Sequence, residues 1–169
     1  MSKAAAILLA SAFMAPATIA AQTVTKLIGF SGWGPVGEPI MRPAQGRNGQ
    51  LYGTGYSSRT AAGSVFSLTT SGGVRVLYTF ETATGSAPQS GLTLATDGNF
   101  YGTTGSGGSA NLGVLFRIGP DGTLTVLRDF TGSDGAGPIA NPIEGSDGNL
   151  RQVRPPSTRT RRFRPRQAL

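Results

Sequence analysis

The stretch that decides the fold is DGNFYGTT at Asp97–Thr104, because it recurs along the chain. A close copy, NGQLYGT, occupies Asn48–Thr54, and the first half returns as DGNL at Asp147–Leu150. The copies begin 49 and 50 residues apart. Each joins an Asx-Gly turn signal to a short apolar run, as expected where a hairpin turn leads into a strand. Self-similarity at a fixed period of this length is typical of a repeat architecture.

Other positions keep the same spacing of about fifty residues. They are Phe30, Phe80 and Phe130, the pair Gly63–Phe66 and Gly113–Phe116, and the turn glycines Gly72 and Gly122. This agreement divides residues 24–150 into units at 24–73, 74–122 and 123–150, of which the last is incomplete. Agreement at several separate positions makes the repeat the strongest feature of the sequence.

Each unit is predicted to consist of short strands separated by turns. In the second unit the pattern of alternating residues predicts strands over 74–80, 92–94, 99–103 and 113–118, and the next unit starts in phase at 124–130. Over 74–80 the alternation is that of a half-buried strand. Helical periodicity is lacking beyond the N-terminal segment, so the body is predicted to be all-β.

Four antiparallel strands in about fifty residues match the blade of a β-propeller, and kelch repeats have about this length. We therefore predict a partial β-propeller-like array of four-stranded antiparallel blades. The alternative is a β-sandwich, which also has short strands at regular spacing but does not require the repeat in sequence. A closed propeller needs 4–8 blades, whereas residues 22–150 supply about 2.6 units. Open blade edges predict marginal stability or self-association.

The N-terminus has the pattern of a signal peptide. Lys3 precedes an apolar run over 4–14, and small residues follow. We predict a signal peptide over 1–21, cleaved after Ala20 or Ala21, and export to the periplasm, cell surface or medium. The run is shorter than the ~20 apolar residues that span a bilayer, and no transmembrane segment is predicted.

The repeat pattern resembles the GloVer tandem repeat of exported bacterial proteins. The elements of the resemblance are DGN[LF]YGTT, Gx[VL]F and GxxxVLxxF, found best at Asp97–Thr104, Gly113–Phe116 and Gly122–Phe130. The first copy departs from the pattern with Asn48 for Asp and Gly55 for the second Thr. The resemblance implies a secreted or surface-anchored, propeller-like repeat protein. It implies no particular biochemical activity.

The net charge of +7 lies entirely in the C-terminal tail, 151–169, which holds seven Arg and no acidic residue. Residues 1–150 carry eight cationic and eight acidic side chains. After Leu150 the repeat requires Tyr-Gly-Thr-Thr, but Arg151 and an Arg- and Pro-rich segment follow. We interpret this tail as disordered and as the product of a reading-frame shift, because a Tyr-Gly codon pair read out of phase contains an Arg codon. The alternative is a basic arm with non-specific, salt-dependent binding to nucleic acid or other polyanions.

The composition excludes several kinds of chemistry. The chain has no Cys and no His, which excludes disulfide scaffolds, thiolate nucleophiles and Ser-His triads. Paired carboxylates remain, as in glycoside hydrolysis. The acidic residues considered are Asp97, Asp129, Asp134, Glu144 and Asp147. Of these, Asp97 and Asp147 occupy equivalent turn positions, where Asp caps its own backbone.

No metal or cofactor site is predicted. The glycine loops at 102–108 and 132–137 lack the Lys-Ser/Thr pair of a phosphate-binding loop, and calcium-loop spacing is missing. Tyr52 and Tyr101 could stack on sugars, but their shared repeat position favours packing between blades. Trp33 has no counterpart in the other units and is either an exposed binding residue or a packing residue of the first blade.

These observations predict an exported, non-enzymatic repeat protein that belongs to a longer propeller-like family and binds a glycan or protein ligand or has a structural role. The catalytic alternative is the remnant of a carbohydrate-active propeller enzyme. The tail offers the third class, polyanion binding. The identity of the ligand is not encoded in any motif of the sequence.

Overall fold

The computed structural model describes residues 36–39, 41–56, 62–152 and 162–163. All regular elements in these ranges are β-strands, and every pair of neighbouring strands is antiparallel. The prediction of an all-β body is confirmed. The predicted signal peptide, Trp33 and most of the Arg-rich tail lie outside the described residues.

The strands form two four-stranded sheets and one three-stranded sheet. The first contains β1 (Ala44–Gln45), β2 (Leu51–Gly55), β3 (Ser64–Leu68) and β4 (Val74–Thr79). The second contains β5 (Thr93–Leu94), β6 (Phe100–Thr103), β7 (Val114–Ile118) and β8 (Leu124–Asp129). The third contains β9 (Pro142–Glu144), β10 (Leu150–Gln152) and β11 (Arg162–Phe163). Consecutive strands pair with one another in each sheet.

The sheets are offset from the units read in the sequence. Strand β4 opens the second sequence unit but is the last strand of the first sheet. In the same way, β8 opens the third sequence unit but is the last strand of the second sheet. A short turn over 69–73 joins β3 and β4, whereas the longer segment 80–92 carries the chain to the next sheet. A sheet therefore begins about twenty residues after the sequence boundary at 74.

The fourth strand of each complete sheet contains a bulge that breaks the predicted alternation. Val65 lies opposite Tyr78 and Phe66 opposite Val76, so that Leu77 is an extra residue. Leu127 occupies the same position in the second sheet. A bulge places two residues against one on the partner strand and increases the local twist. Leu77 and Leu127 each pack against a core cluster, which alternation alone does not predict.

The sheets pack through their faces, and β5 lies beside β1 on one side and β9 on the other. The Tyr52 ring stacks on Phe100 of the second sheet with 4.2 Å between ring centroids. Phe80 meets Phe116 edge to face at 5.2 Å. These four rings are buried and form the centre of the larger core.

Equivalent residues of the two complete units have equivalent surroundings. Phe80 and Phe130 are both buried, and their N–H groups donate to the carbonyls of Gly63 and Gly113. The hydrogen bonds are 2.9 and 3.0 Å long. This equivalence confirms that the sequence repeat is a structural repeat. The described sheets do not close into a ring, and the propeller arrangement stays a prediction.

In the third sheet, two residues of the Arg-rich tail pair with the strand that the repeat supplies. Phe163 lies opposite Leu150 and Arg162 opposite Arg151. The same register joins Phe100 with Ile118 in the second sheet. Strand β11 thus takes the place of β7, and the rest of 153–169 lies outside the described residues.

Candidate functional site

The candidate site is built on the turn between the first and second strands of each sheet. The carboxylate of Asp97 accepts a hydrogen bond from the Asn99 N–H at 3.0 Å, and Asp147 accepts one from Asn149 at 3.2 Å. Gly98 supplies the positive φ of the turn, 84°. The interpretation of Asp97 and Asp147 as turn-forming residues is confirmed.

The second carboxylate oxygen of these aspartates binds the side chain four residues later. Tyr101 donates its hydroxyl to Asp97 at 2.7 Å, and Arg151 donates to Asp147 at 2.9 Å. In the first sheet the pair is Asn48 and Tyr52, with the amide donating to the phenol oxygen at 2.9 Å. Arg151 therefore occupies the register position of the two tyrosines and retains their contact with the turn.

The hydrogen bonds at this turn shift the ionisation of both partners. Burial raises the pKa of Tyr101, and its bond to the Asp97 carboxylate raises it further. Burial also raises the pKa of Asp97, but hydrogen bonds from Asn99 and Tyr101 outweigh this effect and hold the pKa below its usual value. At neutral pH the turn therefore contains a protonated phenol and an ionised carboxylate.

Asp134 is the most deeply buried carboxylate, with 3% of its surface exposed. It accepts hydrogen bonds from the Thr131 N–H at 2.9 Å and from the Arg128 guanidinium, with which it forms an ion pair. Burial raises the pKa of Asp134, but these bonds outweigh it and lower the pKa to about 2. Its role in the described structure is to close the loop after β8.

Glu144 connects the second and third sheets. Its two carboxylate oxygens accept hydrogen bonds from the Thr96 N–H at 2.8 Å and the Thr96 hydroxyl at 2.7 Å. On the other side, Arg47 of the first sheet donates to the Thr96 carbonyl at 2.6 Å. Thr96, in the β5–β6 turn, is thus bound by the β1–β2 turn of the first sheet and by strand β9 of the third sheet.

Asp129 differs from the other four carboxylates because one of its oxygens is buried without a hydrogen bond partner among the described residues. The backbone of Gly108 covers this oxygen so closely that a Cβ on Gly108 would lie 2.5 Å from it. In the described ranges no three acidic side chains come together as a metal site. Two of the five carboxylates, Asp97 and Glu144, share surroundings, since the charges of both raise the pKa of Tyr101 and Glu144 binds Thr96 beside Asp97.

The two tyrosines lie in the core. Tyr52 and Tyr101 are each 1% exposed, Tyr52 against Phe100 and Tyr101 against Leu150. Their interpretation as packing residues is confirmed. Within the glycine loop 102–108, the Phe116 ring packs closely on Gly102. A Cβ atom added at Gly102 would lie only 2.6 Å from that ring, so a larger residue does not fit there. Trp33 is not among the described residues.

A cleft of about 310 Å³ lies where the turns of the first sheet meet the β7–β8 turn of the second. Its described lining is Asn48, Gln50, Tyr52, Ser67, Thr69, Gly73, Val74, Arg75 and Pro120. Sequence analysis missed this cleft because its walls come from three turns in two units. The nearest signal in the sequence was Asn48, the one residue of the three equivalent turns that is not Asp.

The sequence model of the Gloeobacter/Verrucomicrobia repeat matches residues 14–154 of the chain. This range contains the three turns described above and all of the first two sheets. No curated protein matches the chain. The described residues contain no helix with the length and apolar character needed to cross a bilayer.

Proposed function

Because the chain belongs to the Gloeobacter/Verrucomicrobia repeat family, we propose that it is an exported, non-enzymatic repeat protein with a binding or structural role. Its sheets, in this proposal, are blades of a propeller-like array. Export is supported by the basic and apolar pattern of residues 1–21. The array is supported by the recurrence of the same contacts at successive sheet junctions.

The observation that carries the non-enzymatic assignment is the state of the carboxylates. Glycoside hydrolysis needs two carboxyl groups facing one bond, one of them protonated at the working pH. Asp97, Asp134 and Asp147 instead have lowered pKa values because they accept internal hydrogen bonds. Glu144 is bonded through both oxygens to Thr96. These side chains are suited to stabilising turns and junctions.

The test is a hydrolysis screen of the purified chain on neutral and acidic polysaccharides, beside Asp129→Asn and Glu144→Gln variants. We expect no release of reducing ends from any substrate. Asp129 is the informative position because, among the described residues, it alone has a buried carboxylate oxygen without a hydrogen bond partner. Hydrolysis that one of these substitutions abolishes would overturn the proposal in favour of a carbohydrate-active enzyme.

Export is tested separately by expressing the full chain and measuring the mass of the product outside the cytoplasm. We expect a mature chain that begins after Ala20 or Ala21. Self-association is part of the same proposal, supported by Ile139 and Ile143, which remain exposed on the side of the third sheet. Size-exclusion chromatography with Ile143→Ser as the comparison measures it, and a concentration-independent monomer would contradict it.

A further inference from the structure

We propose that the cleft between the first sheet and Pro120 binds a small carboxylate-bearing polyhydroxy compound, such as a uronic acid, with Arg75 as the carboxylate-binding group. The inference deepens the proposed function because it names a ligand class for a binding protein. It depends on three features of the cleft: its shape, an uncompensated charge, and polar groups without partners.

The cleft has the form of a small-ligand site. Its volume of about 310 Å³ lies at the lower end of the range for such sites, roughly 300–1,000 Å³. The first sheet supplies most of the described lining, and Pro120 from the β7–β8 turn of the second sheet completes it. A site formed between two packed units is preorganised by their packing, which lowers the entropic cost of binding.

The charge in the cleft is not compensated by any residue that the structure describes. The Arg75 side chain is exposed and makes no hydrogen bond or ion pair with another residue in the described ranges. The described lining contains no acidic side chain. A guanidinium has a planar pair of donors that matches a carboxylate. A single cation also matches the single charge of that group.

The second sheet shows what the first lacks. There Arg117 lies between Tyr101 and Thr125 on neighbouring strands, as Ser67 lies between Tyr52 and Arg75 in the first sheet. The Arg117 side chain interacts electrostatically with Asp97 and donates to the Thr125 hydroxyl at 3.4 Å. In the first sheet Asn48 replaces Asp97, and the Arg is on the neighbouring strand. In the first-sheet turn the Asn48 side-chain oxygen still accepts a hydrogen bond from the Gln50 N–H, at 3.2 Å. Unlike Asp97, however, Asn48 carries no negative charge.

The remaining lining is suited to a polyhydroxy ligand. The Gln50 amide and the Ser67 hydroxyl make no side-chain hydrogen bonds to other described residues, so both are available to ligand hydroxyls. Pro120 provides apolar surface for the C–H face of a sugar ring. Charge, hydroxyl partners and an apolar wall together favour a uronic acid over a neutral sugar or an inorganic anion.

The experiment is a titration of the full chain, by NMR or calorimetry, with glucuronate, glucose and inorganic phosphate. We expect glucuronate to bind and both comparators to bind at least about tenfold more weakly. Arg75→Thr, which introduces the residue of the equivalent position 125, should weaken glucuronate binding about tenfold or more. Arg75→Lys should retain part of the affinity because it retains the charge.

The most selective variant is Asn48→Asp, since Asp already occupies this turn position at 97 and 147. It should preserve the turn and abolish binding by neutralising Arg75. Arg42→Thr, an exposed Arg outside the described lining, serves as the charge-matched control and should leave affinity unchanged. Circular dichroism melts confirm that each variant folds.

Four results would overturn the inference. These are unchanged affinity in Arg75→Thr, equal binding of glucose, tighter binding of phosphate, and no glucuronate binding at concentrations of about 10 mM. They are distinguishable from failure of the proposed function, which is decided by hydrolysis of polysaccharides. Glucuronate contains no glycosidic bond, so an enzyme would still give an interpretable titration.

Discussion

The two sheet junctions of this chain use the same positions with different chemistry. Between the first and second sheets, Tyr52 stacks on Phe100. Between the second and third, Tyr101 packs against Leu150. At this position the first junction therefore adds an aromatic interaction to burial, whereas the Tyr101–Leu150 contact of the second is burial alone.

The hydrogen bonds of two equivalent threonines across the junctions differ in the same direction. The Thr54 hydroxyl donates to the Ser90 carbonyl at 2.7 Å. The equivalent Thr103 hydroxyl lies 3.4 Å from two carbonyls, those of Pro138 and Ala140. A shorter bond to one acceptor is stronger than a long bond shared by two. At these positions the first junction should therefore be the more stable one, and the following substitutions test that ranking.

The largest effect is expected for Phe100→Ala. It removes a buried ring that contributes to the larger core and stacks on Tyr52, and we expect unfolding free energy to fall by about 3–5 kcal/mol. Leu150→Ala at the second junction should cost about 2–3 kcal/mol. Urea denaturation followed by circular dichroism measures both.

The matched control is Phe100→Leu, since Leu is the residue of the equivalent positions 51 and 150. It keeps most of the apolar volume and should cost no more than about 1.5 kcal/mol. If Leu150→Ala proved as costly as Phe100→Ala, the ranking of the two junctions would be wrong.

A smaller difference is expected between Thr54→Val and Thr103→Val. Both substitutions keep the side-chain shape and remove a buried hydroxyl. Loss of the 2.7 Å bond leaves the Ser90 carbonyl without that donor, and we expect a cost of about 1–2 kcal/mol. For Thr103→Val the cost should be below about 1 kcal/mol. Thermal unfolding of both variants under identical conditions gives the comparison, and equal costs would contradict it.

Much of this fold is predictable because turn chemistry and alternation act locally. The strands β6 and β7 lie within one residue of the predicted 99–103 and 113–118. The bulges at Leu77 and Leu127 were missed, since a bulge depends on the partner strand and leaves no residue type of its own. The offset between unit and sheet was also missed, because a sequence period has no intrinsic starting point.

The candidate site was less predictable for a related reason. The turn role of Asp97 follows from its own neighbours and could be inferred. The cleft at Arg75 depends on Pro120, which lies 45 residues further along the chain. The ion pair of Arg128 with Asp134 also depends on how the loop after β8 folds. Contacts of this kind come from packing and are not encoded in a local pattern.

The loops that lead to the two junctions should differ in their response to acid. Thr84 in the first loop caps the Glu81 N–H with a hydroxyl at 3.2 Å, whereas Asp134 caps the Thr131 N–H with a carboxylate. The pKa of Asp134 is lowered from 3.8 to about 2, so its contribution is complete above pH ~4 and is lost as the pH falls toward 2.

We expect this contribution to be on the order of 1 kcal/mol, because solvent near Arg128 screens the pair. The variant Asp134→Thr introduces the residue of the first loop and should remove that part of the acid dependence. Urea midpoints between pH 5 and pH 2 measure the effect. A variant whose stability falls with acid as steeply as that of the natural chain would contradict the assignment.

The smallest effects are expected at Thr96, where the two junctions meet. Arg47 bonds its carbonyl from the first sheet, and Glu144 bonds its N–H and hydroxyl from the third. All three contacts are exposed, so Arg47→Ala and Glu144→Ala should each cost about 0.5 kcal/mol. The carbonyl and the N–H of Thr96 belong to different peptide units, which makes the two contacts independent if the turn is rigid.

A double-mutant cycle decides whether the junctions are independent. Additive costs, within about 0.5 kcal/mol, are expected if each contact stabilises only its own junction. A coupling energy above about 1 kcal/mol would mean that the β5–β6 turn shifts when either partner is lost. The two junctions would then form one cooperative unit, and their stabilities could not be ranked separately.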